Sequence, residues 1–493
     1  MQICPELGHV VSVRRLLPQA EIIGAGNVDI TGCTCDSRQV RGGELFAALV
    51  GGCHDGHDFV AEAAARGCAA VLSERPAPDS TVPWIVVPNA RDAYARVCQT
   101  LAGNPSRQLK LIGVTGTNGK TTTSCLIAGV LSAAGHKVGV LGTLGYLDGR
   151  LVEHGVHTTP PPDRLATLLS RMVRNGCSHA VMEVSSHALD QSRVAGAHFD
   201  AACITNVTHD HLDYHATLSN YRRAKARLFE HLAEEGFAVL NADDRGSAGY
   251  LRHLDGPALS VAIEAAAEIT ATPIEQCMSE QTFLLTAGSE TIPVCTKMIG
   301  RHHIYNCLTA AAVGLAYGIE LTTVARGLES VDYVPGRLER VECGQPFGVF
   351  VDFAHTPEAL SSVLKTLGEV TAKRILCVFG AGGQRDHQKR PLMGRAVEQG
   401  AQVAILTNDN PRDEDPQAII RDVLDGFENP GAVEVIPDRV QAIHRALEMA
   451  QPGDCVLLAG KGHERVQVIG DEHLPLDDRK VAQEWLYAQP PNP

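Results

Sequence analysis

The sequence predicts an α/β protein of three domains, in which a central sheet domain is flanked by an N-terminal α/β domain and a C-terminal Rossmann-like α/β domain. The chain has 493 residues, which corresponds to about three domains of ordinary size. A strand, a Gly-rich loop and a helix follow one another in 109–131, and the last third repeats short apolar runs that end in polar loops. Turn-rich segments at 102–107 and 330–336 indicate two linkers. The predicted domains are 1–106, 107–335 and 336–493.

The composition is that of a folded enzyme. Apolar residues make up 44% and charged residues 20% of the chain. The formal net charge of −14 argues against nucleic acid as a partner. Fifteen scattered cysteines without a C-x-x-C pair favour reduced thiols. The chain shows neither a signal peptide nor a run of the ~20 apolar residues that a membrane helix needs, so we expect a cytoplasmic protein with no membrane insertion.

The segment Gly113–Thr123 has the composition of a loop that binds nucleotide phosphates, and it lies between a strand-like and a helix-like run. Gly116 and Gly119 allow backbone N–H groups to close on phosphate oxygens at the start of a helix. Lys120 can reach the terminal phosphates, and the Thr121 hydroxyl can face Mg²⁺. The segment therefore predicts binding of ATP or a close analogue rather than a flexible Gly/Thr turn.

Other charged residues could serve the nucleotide or its metal ion. The apolar run 180–183 ends in Glu183, and nucleotide-binding sheets place an acid here to hold Mg²⁺ or its waters. A second strand-like run ends in Asp352, which could serve nucleotide or metal. Arg337 and Arg340 lie in the second linker, where a cation could close over a triphosphate. Solvated side chains are the alternative at each position.

A second cluster of polar residues lies between Thr205 and His215. His209, His211, Asp213 and His215 share parity, so an extended backbone would line them along one face. A zinc site or a polar surface loop is compatible with this pattern. The nearby phosphate-binding loop favours Mg²⁺ with a single histidine ligand.

A predicted helix over 221–229 places Tyr221, Lys225 and Phe229 on one face. The aromatic residues indicate that this face packs inward, which leaves Lys225 partly dehydrated. The spacing is also compatible with a lysine that has no catalytic role, whose stem is buried and whose amine stays in water.

The last third of the chain repeats strand–loop units. Three apolar runs end in the loops 380–383, 408–412 and 460–464. Ligands of open parallel sheets bind at the carboxyl ends of the strands. The three loops together therefore predict a ligand site in the C-terminal domain.

Together these motifs resemble those of the Mur ligases, which join amino acids to the UDP-linked peptidoglycan precursor. The resemblance covers nearly the whole chain and is strongest to the type that adds meso-diaminopimelate. The motifs that carry it are Cys35–Arg38, Gly116–Thr121, Thr158–Thr159, Glu183–His187 with Gln191 and Arg193, His209–His215, Lys389–Pro391, Asp409–Arg412, Gly460–Glu464 and Leu476–Arg479.

The resemblance implies that the N-terminal domain binds the UDP substrate, the central domain ATP, and the C-terminal domain the incoming amino acid. UDP-substrate contacts are implied for Ser37, Thr158, Thr159, Ser185, Gln191 and Arg193. ATP contacts are implied for Gly116, Thr117, Asn118, Gly119, Lys120, Thr121, Thr122, Asn306, Arg337 and Asp352. Amino-acid contacts are implied for Arg390, Asp409, Asn410, Pro411, Arg412, Gly460 and Glu464.

The resemblance also implies the chemistry. The expected reaction is ATP-dependent amide formation between UDP-N-acetylmuramoyl-L-alanyl-D-glutamate and meso-diaminopimelate, through an acyl phosphate, by a monomeric enzyme. Two Mg²⁺ ions are implied, with Lys225 carrying CO₂ as a carbamate. The implied metal ligands are Thr121, Glu183, His211 and carbamylated Lys225, and the implied catalytic residues are Lys120, Lys225, His211 and Glu183.

Charge predicts the amino-acid specificity. Meso-diaminopimelate differs from lysine by a distal carboxylate, which Arg412 can hold through two parallel N–H bonds. Arg390 adds positive charge, while Asp409 and Glu464 can take the distal ammonium. The alternative is that Arg412 forms a structural ion pair with Asp413 or Asp415.

Two other classes of protein share part of this pattern. A phosphate-loop kinase would use Lys120, Thr121 and Glu183 without an amine acceptor. A nucleotide switch would bind ATP but would have little use for the His/Asp cluster or the loop 409–412. Within the family, the lysine-adding ligase and folylpolyglutamate synthetase are the nearest alternatives.

Overall fold

The computed structural model describes residues 10–52, 54–77, 80–208, 210–252 and 254–488, which form two compact units. The first unit holds the described part of Met1–Thr270 with Ala287–Glu290 and Tyr305–Leu328. The second holds Ala271–Thr286, Thr291–Ile304 and the described part of Glu329–Pro493. The N-terminal and central sheets both belong to the first unit, and the three predicted domain boundaries stay predictions.

The N-terminal part of the first unit is a five-stranded sheet. Leu45 and Leu72 pack in the same core cluster as residues of the helix Ala90–Leu101, whereas Phe46 and Val71 pack on the opposite face. The strands follow in the order Glu21–Ile23, Trp84–Val86, Ala70–Ser73, Glu44–Ala47 and Gly32–Thr34, parallel except for the first pair. Other elements here are the ribbon Val11–Ser12 with Asp29–Ile30 and the helices Val13–Leu16 and Val60–Ala65.

The central sheet is built around the strand Lys110–Thr115, which lies between His179–Glu183 and Phe199–Ile204. These three strands are parallel and buried on both faces, which explains their nearly continuous apolar sequences. The other strands of the first unit in this sheet are Val152–Glu153, Gly145–Leu147 and Val138–Gly142 on one side, and Leu232–Asn241 and Ala258–Ala262 on the other.

The parallel pairing brings the carboxyl ends of three strands to one edge. Glu183 pairs with Val114, and Ile204 pairs with Thr115, so the loops that follow these strands start side by side. The predicted strand–loop–helix is confirmed, with the helix at Lys120–Ala133. The other helices around this sheet are Pro162–Arg174, Ser186–Asp190, Leu212–His215, Leu218–Ala226, Arg245–Ala248, Arg301–Ala316 and Leu321–Glu329.

The helix predicted over 221–229 begins and ends three residues earlier than expected. It runs over Leu218–Ala226, where the Thr217 hydroxyl accepts from the N–H of Asn220 and caps its start. Tyr221 and Lys225 therefore share a helical face, while Phe229 begins a separate 3₁₀ turn. The inward packing of Tyr221 is confirmed because its side chain is buried.

The second unit contains a six-stranded sheet with two apolar cores, one on each face. The strands follow in the order Glu339–Arg340, Gly348–Asp352, Cys455–Ala459, Ile375–Phe379, Val403–Leu406 and Glu434–Val435, all parallel except the first. Its helices are Pro357–Val370, Lys389–Gly400, Pro416–Leu424, Arg439–Met449 and Asp478–Ala488. This arrangement has the Rossmann-like form predicted for the C-terminal domain.

Two smaller elements complete the description. The hairpin Val466–Ile469 with Glu472–Pro475 follows the last strand of the Rossmann-like sheet. The strands Ile269–Gln276, Gln281–Ala287 and Glu290–Thr296 follow one another in hydrogen-bonded order. Among the described residues, the model contains no helix with the length and apolar character needed to cross a membrane.

Candidate active site

The phosphate-binding loop has a backbone that requires glycine at two positions. Gly116 and Gly119 have φ angles of 152° and 83°. A Cβ atom on Gly116 would lie 1.9 Å from Thr205 Oγ1, and one on Gly119 would lie 2.5 Å from Asn306 Oδ1. The backbone can therefore close tightly only because both side chains are absent.

The residues after the neighbouring strand hold this loop in shape. Thr205 Oγ1 donates to the carbonyl of Asn118 at 2.6 Å, and the N–H of Asn118 donates to Asn206 Oδ1 at 2.9 Å. The N–H of Thr117 donates to the carbonyl of Asn206 at 2.9 Å, and its hydroxyl accepts from the N–H of Thr208 at 3.0 Å. The loop is thus pre-shaped by contacts on both sides of its backbone.

Lys120 begins the helix that follows the loop and folds back over it. Its Nζ donates to the carbonyls of Gly116 and Thr117, both at 2.9 Å. The positive end of the helix dipole lies at the same place. A phosphate group bound here would meet an ammonium group and helix N–H groups together.

Thr121, in the first turn of the helix Lys120–Ala133, is in direct contact with Glu183, at the end of the neighbouring strand. Glu183 is buried, and its Oε2 accepts from Thr121 Oγ1 at 2.9 Å and from Thr143 Oγ1 at 3.1 Å. Its Oε1 accepts from the N–H of Thr143 at 2.8 Å. A carboxylate and a hydroxyl beside a phosphate-binding loop are the hard oxygen donors that Mg²⁺ prefers, so these residues fit that ion.

Lys225 reaches the same loop from the helix Leu218–Ala226. Its Nζ donates to the carbonyl of Gly116 at 2.8 Å and lies 4.4 Å from the centre of the Tyr221 ring. The side chain is only 1% exposed. Burial, followed by the nearby positive charge of Lys120, lowers the pKa of Lys225 well below its usual value. Burial therefore makes the neutral amine easier to form than it is in an exposed lysine.

The extended conformation predicted for the histidine cluster is wrong. Leu212–His215 is a short helix, and His211, just before it, has a φ of 53°. The His211 ring lies 4.9 Å from that of His187 and 6.3 Å from that of Tyr221, the residue that also contacts Lys225. His209 and the side chain of Asp213 lie outside the described residues.

His215 lies near the same two rings, 5.6 Å from that of His187 and 5.3 Å from that of Tyr221, and also contacts Ser186. Its Nε2 lies 3.0 Å from Ser186 Oγ. Within the described ranges, the only group of three possible metal-ligand atoms from histidine, cysteine or acidic side chains lies in the second unit. The described part of the cluster therefore gives no support to the zinc alternative, and His211 stays a predicted magnesium ligand.

Five of the residues predicted to contact the UDP substrate lie together at the carboxyl end of the strand His179–Glu183. Thr159 Oγ1 donates to the carbonyl of Glu183 at 2.9 Å and accepts from the N–H of Ser185 at 3.0 Å. Arg193 donates to the carbonyl of Thr159 at 3.2 Å and to Gln191 Oε1 at 2.8 Å. The fifth residue, Thr158, contacts Thr143, with the two hydroxyl oxygens 3.2 Å apart.

Ser37 lies elsewhere in the first unit, in the N-terminal sheet region. Its hydroxyl is buried and donates to Glu62 Oε2 at 2.6 Å. That hydrogen bond explains its burial without a ligand. The predicted contact of Ser37 with the UDP substrate stays a prediction.

The remaining predicted ATP contacts are in structured positions. Asn306 Oδ1 accepts from Thr123 Oγ1 at 3.1 Å, below the phosphate-binding loop. In the second unit, Arg337 stacks 4.9 Å from the centre of the Phe353 ring. Both carboxylate oxygens of Asp352 accept from backbone N–H groups, those of Leu338 at 2.6 Å and Ala354 at 2.8 Å. Burial raises the pKa of Asp352, and the charge of Arg337 opposes this.

The two loops predicted to bind the amino acid are joined in the second unit. Asn410 Nδ2 donates to Glu464 Oε2 at 2.8 Å. A Cβ atom on Gly460 would lie 2.6 Å from Asp409 Oδ2, so only glycine allows this close approach. The carbonyl of Pro411 packs against Gly383, and a Cβ atom on Gly383 would lie 1.8 Å from that carbonyl oxygen. The structure thus brings Asp409, Asn410, Pro411, Gly460 and Glu464 together.

Arg412 is presented from this loop with a φ of 55°. Its Nη1 donates to the carbonyl of Gly383 at 2.6 Å. Burial and the charge of Arg385 lower its pKa, while the carboxylates of Asp409 and Glu464 act in the opposite direction. Arg412 therefore lies within the field of both acids that the sequence assigns to the amino acid.

The structural ion pair considered for Arg412 is absent from the described residues. Asp415 pairs instead with Arg421 at 3.6 Å, and Asp413 accepts from Gln384 at 2.8 Å. Among the described residues, Arg412 has only the carbonyl of Gly383 as a side-chain hydrogen-bond partner. This leaves the second edge of the guanidinium for a ligand.

Arg390 is committed to other side chains. It is fully buried, and it donates to both carboxylate oxygens of Glu414 at 2.6 and 2.7 Å and to Asp422 at 2.8 Å. These bonds lower the pKa of Glu414 to about 2. With His387, these two acids lie close enough for a metal ion, but the guanidinium already occupies the space. Direct contact of Arg390 with the amino acid stays a prediction, whereas the structure shows it bracing the 412–414 loop.

Family models match three successive parts of the chain. "Mur ligase family, catalytic domain" matches residues 29–100, "Mur ligase middle domain" matches 114–314, and "Mur ligase, glutamate ligase domain" matches 336–462. The chain belongs to the Mur ligase family. The predicted family and the three-domain α/β fold class are thereby confirmed.

The relatives of this Mur ligase are similar over almost its whole length. It is 44% identical over 473 residues to the UDP-N-acetylmuramoyl-L-alanyl-D-glutamate–2,6-diaminopimelate ligase of Geobacillus thermodenitrificans, covering 94% of this chain and 96% of the relative. It is 42% identical over 485 residues to the ligase of the same name from Solibacter usitatus, and the match covers 97% of this chain and 98% of the relative.

Solved structures show the same architecture. A structure of UDP-N-acetylmuramoyl-L-alanyl-D-glutamate–2,6-diaminopimelate ligase is 32% identical with a TM-score of 0.70, covering 97% of this Mur ligase and 99% of that chain. A Mycobacterium tuberculosis folylpolyglutamate synthase is 18% identical with a TM-score of 0.63, covering 81% of this chain and 95% of that one. The second likeness concerns the fold alone.

Sequence reasoning missed several residues of the Mur ligase site. Thr143 holds Glu183 with two hydrogen bonds, although it lies in no quoted motif. Gln467 donates to the carbonyls of Asn408 and Asp409 from the following hairpin. Lys461 lies inside the quoted motif Gly460–Glu464, but its burial could not be inferred from spacing.

Proposed function

We propose that this Mur ligase adds meso-diaminopimelate to UDP-N-acetylmuramoyl-L-alanyl-D-glutamate in peptidoglycan synthesis, with ATP converted to ADP and phosphate. The two relatives that are 44% and 42% identical are named for that pair of substrates. The single observation that carries the proposal is that the loop of Asp409 and Arg412 is joined to Glu464, through the hydrogen bond of 2.8 Å from Asn410 Nδ2 to Glu464 Oε2. One cation beside two acids matches the amino-acid end of diaminopimelate, which carries one carboxylate and one ammonium group.

The first chemical step activates a carboxylate. A substrate carboxylate attacks the γ-phosphorus of ATP, the bond to the bridging oxygen breaks, and an acyl phosphate and ADP result. Lys120 would offset charge that builds on the transferred phosphoryl group, because its ammonium lies on the loop that would hold the phosphates. Thr117, Asn118, Gly119 and Thr122 would add loop contacts, and Asn306, Arg337 and Asp352 would contact the rest of the nucleotide.

The second step forms the amide. The free amine attacks the acyl phosphate carbon, a tetrahedral intermediate forms, phosphate leaves and a proton is lost from nitrogen. No protein nucleophile takes part. The chain's own contribution is to hold three substrates in reactive geometry, which can supply a large part of the rate enhancement.

Thr121, Glu183 and His211 would hold Mg²⁺, with Lys225 reaching a second ion. The Thr121–Glu183 pair fits such an ion because it offers oxygen donors beside the phosphate loop. When bound, the ions would neutralise negative charge on the phosphates and the carboxylate. These assignments, like the two-ion count, are part of the proposal.

We further propose that Lys225 carries CO₂ as a carbamate. The reaction joins the amine nitrogen to the carbon of CO₂. The neutral amine loses one proton in this step and becomes an anion, so the change from the ammonium cation to the carbamate releases two protons in all. The buried Nζ with its lowered pKa supports this, because the neutral amine is the nucleophilic form. A carbamate would also remove the repulsion between Lys225 and Lys120.

The UDP substrate is assigned to the group Thr158, Thr159, Ser185, Gln191 and Arg193, with Ser37 contacting its uridine part. The half-buried Arg193, held by Gln191 and the carbonyl of Thr159, supports this assignment. The domains 1–106, 107–335 and 336–493 would then serve the UDP substrate, ATP and the amino acid. We expect the enzyme to act as a monomer in the cytoplasm, and light scattering coupled to size exclusion would test the monomer.

A panel of amino acids tests the proposed function. The purified enzyme is incubated with ATP, Mg²⁺ and UDP-N-acetylmuramoyl-L-alanyl-D-glutamate, and phosphate release and product mass are measured for each amino acid. We expect release to depend on meso-diaminopimelate and the product to gain its mass less water. A stable phosphorylated product without an amine would indicate a kinase, and nucleotide binding without turnover would indicate a switch.

Arg412 should decide between meso-diaminopimelate and lysine. We expect the enzyme to use meso-diaminopimelate with a kcat/KM roughly a thousandfold or more above that of lysine, because lysine leaves Arg412 dehydrated without a partner. Arg412→Ala should remove most of that preference. Steady-state kinetics with both amino acids measure the ratio.

Arg421→Ala is the matched control, because Arg421 belongs to the same unit and its side chain is 67% exposed. It should leave the ratio unchanged. Equal kcat/KM for the two amino acids in the unaltered enzyme would contradict the assignment of Arg412.

A further inference from the structure

Lys461 is a fully buried lysine between the two loops assigned to the amino acid. Its side chain follows the strand Cys455–Ala459 and has 0% exposure. A charged ammonium group without water is costly unless it is paired and hydrogen-bonded. The partners that hold this charge therefore show what the residue does.

Among the described residues, both side-chain hydrogen-bond partners of Lys461 belong to the proposed amino-acid site. Its Nζ donates to Asn410 Oδ1 and to Glu464 Oε2, both at 3.0 Å. Asn410 and Glu464 come from different loops, after different strands of the sheet. One ammonium group thus links the two loops at the residues predicted to touch the substrate.

The hydrogen bonds also fix which way the Asn410 amide points. Oδ1 accepts from Lys461 and from the N–H of Val468 at 3.0 Å, and both of these groups can only donate. Nδ2 must therefore face the other side, where it donates to Glu464 Oε2 at 2.8 Å. A flipped amide would set donors against donors.

The same bonds leave one oxygen of Glu464 for a ligand. Oε2 accepts from both Lys461 and Asn410, whereas Oε1 has no hydrogen bond among the described residues. The Glu464 side chain is 32% exposed, so Oε1 can be reached from solvent. An incoming ammonium group would find this oxygen already oriented.

We propose that Lys461 is a positioning residue that holds Asn410 and Glu464 in the orientation that binds the incoming amino acid. This rests on the proposed function, because it takes the amino acid as the ligand of these two loops. Lys461 itself does not touch the substrate. Its effect appears in the affinity for the amino acid, and the affinities for ATP and the UDP substrate are independent of it.

Lys461→Met tests the proposal, because methionine keeps an unbranched side chain and removes the ammonium group. KM for meso-diaminopimelate should rise about tenfold or more, the loss expected when a hydrogen-bonded charge that orders a site is removed. KM for ATP and for the UDP substrate should change by less than about twofold. Arg374→Met, which breaks the ion pair of Arg374 with buried Asp454 in the same unit, is the control for lost stability.

The control should lower the melting temperature without raising KM for the amino acid. In a double-mutant cycle, Glu464→Gln should cost less in the Lys461→Met background than alone, because the two residues act through one contact. Lys461→Gln, which keeps a donor without the charge, should give a smaller rise in KM. It also serves as the test if the methionine variant does not fold.

An unchanged KM for meso-diaminopimelate in a folded Lys461 variant, or equal rises for all three substrates, would overturn the positioning role. Loss of folding in both variants would also overturn it, since Lys461 would then serve stability alone. If the unaltered enzyme uses another amino acid, the proposed function fails separately. The Lys461 variants are then measured with that amino acid.

Discussion

Replacing Lys120 with alanine should abolish amide formation while the protein stays folded. Lys120 is half-buried, and its Nζ donates to two carbonyls of the loop itself at 2.9 Å, so we expect its removal to leave the apolar cores of the unit intact. In the reaction it would face the phosphoryl group, where charge develops in the transition state. We expect kcat/KM to fall by roughly a thousandfold or more, measured by ATP- and amino-acid-dependent phosphate release.

Lys137→Ala is a suitable control, because Lys137 is an exposed lysine of the same unit that donates to the carbonyl of Asn175 at 2.7 Å. It should leave the rate unchanged. Circular dichroism and the melting temperature establish that both variants are folded. A folded Lys120→Ala enzyme with near-normal ligation would show that the loop does not act on ATP as proposed.

Replacing Lys225 with alanine should also slow amide formation while the protein stays folded, with a rate loss of roughly a hundredfold or more. The change removes the proposed carbamate and also leaves the carbonyl of Gly116 without its donor at 2.8 Å. The two consequences can be separated, because only a missing anion can be replaced by another anion. Acetate or formate should therefore restore part of the activity of the folded Lys225→Ala enzyme.

The control for this experiment lies on the same helix. Arg223→Ala removes an exposed cation and should neither lower the rate nor respond to acetate. Depletion of CO₂ and bicarbonate should slow the unaltered enzyme and leave Lys225→Ala unaffected. An unmodified lysine in a fully active liganded enzyme, at high resolution and without CO₂, would exclude the carbamate.

Local motifs carried most of the correct predictions. The loop Gly113–Thr123 could be interpreted from sequence because its glycines, lysine and threonine act within a few residues of one another. The strand Cys455–Ala459 ends directly before the loop 460–464, as predicted, since a continuous apolar run is typical of a parallel strand buried on both faces. The resemblance to Mur ligases rests on the order of many such motifs.

Predictions that depended on backbone shape over a longer segment were weaker. The parity of His211 and His215 suggested an extended chain, yet Leu212–His215 folds as a helical turn. The spacing of so few polar residues cannot distinguish a loop from a short helix. These residues have no apolar face whose burial would favour one conformation over the other. The helix that contains Lys225 ends at Ala226, about one turn before the predicted end at 229. Helix boundaries depend on capping and are hard to predict from sequence.

The phosphate-binding loop, the three strand–loop units of the C-terminal domain and the family could be inferred from the sequence alone. Those features are encoded in neighbouring residues, whose burial and turn chemistry act locally. Only the tertiary structure decided which charges meet: Lys225 against the carbonyl of Gly116, Arg390 between Glu414 and Asp422, and Lys461 between Asn410 and Glu464. A buried charge takes its role from the partners that replace its water, and most of those partners lie far away along the chain.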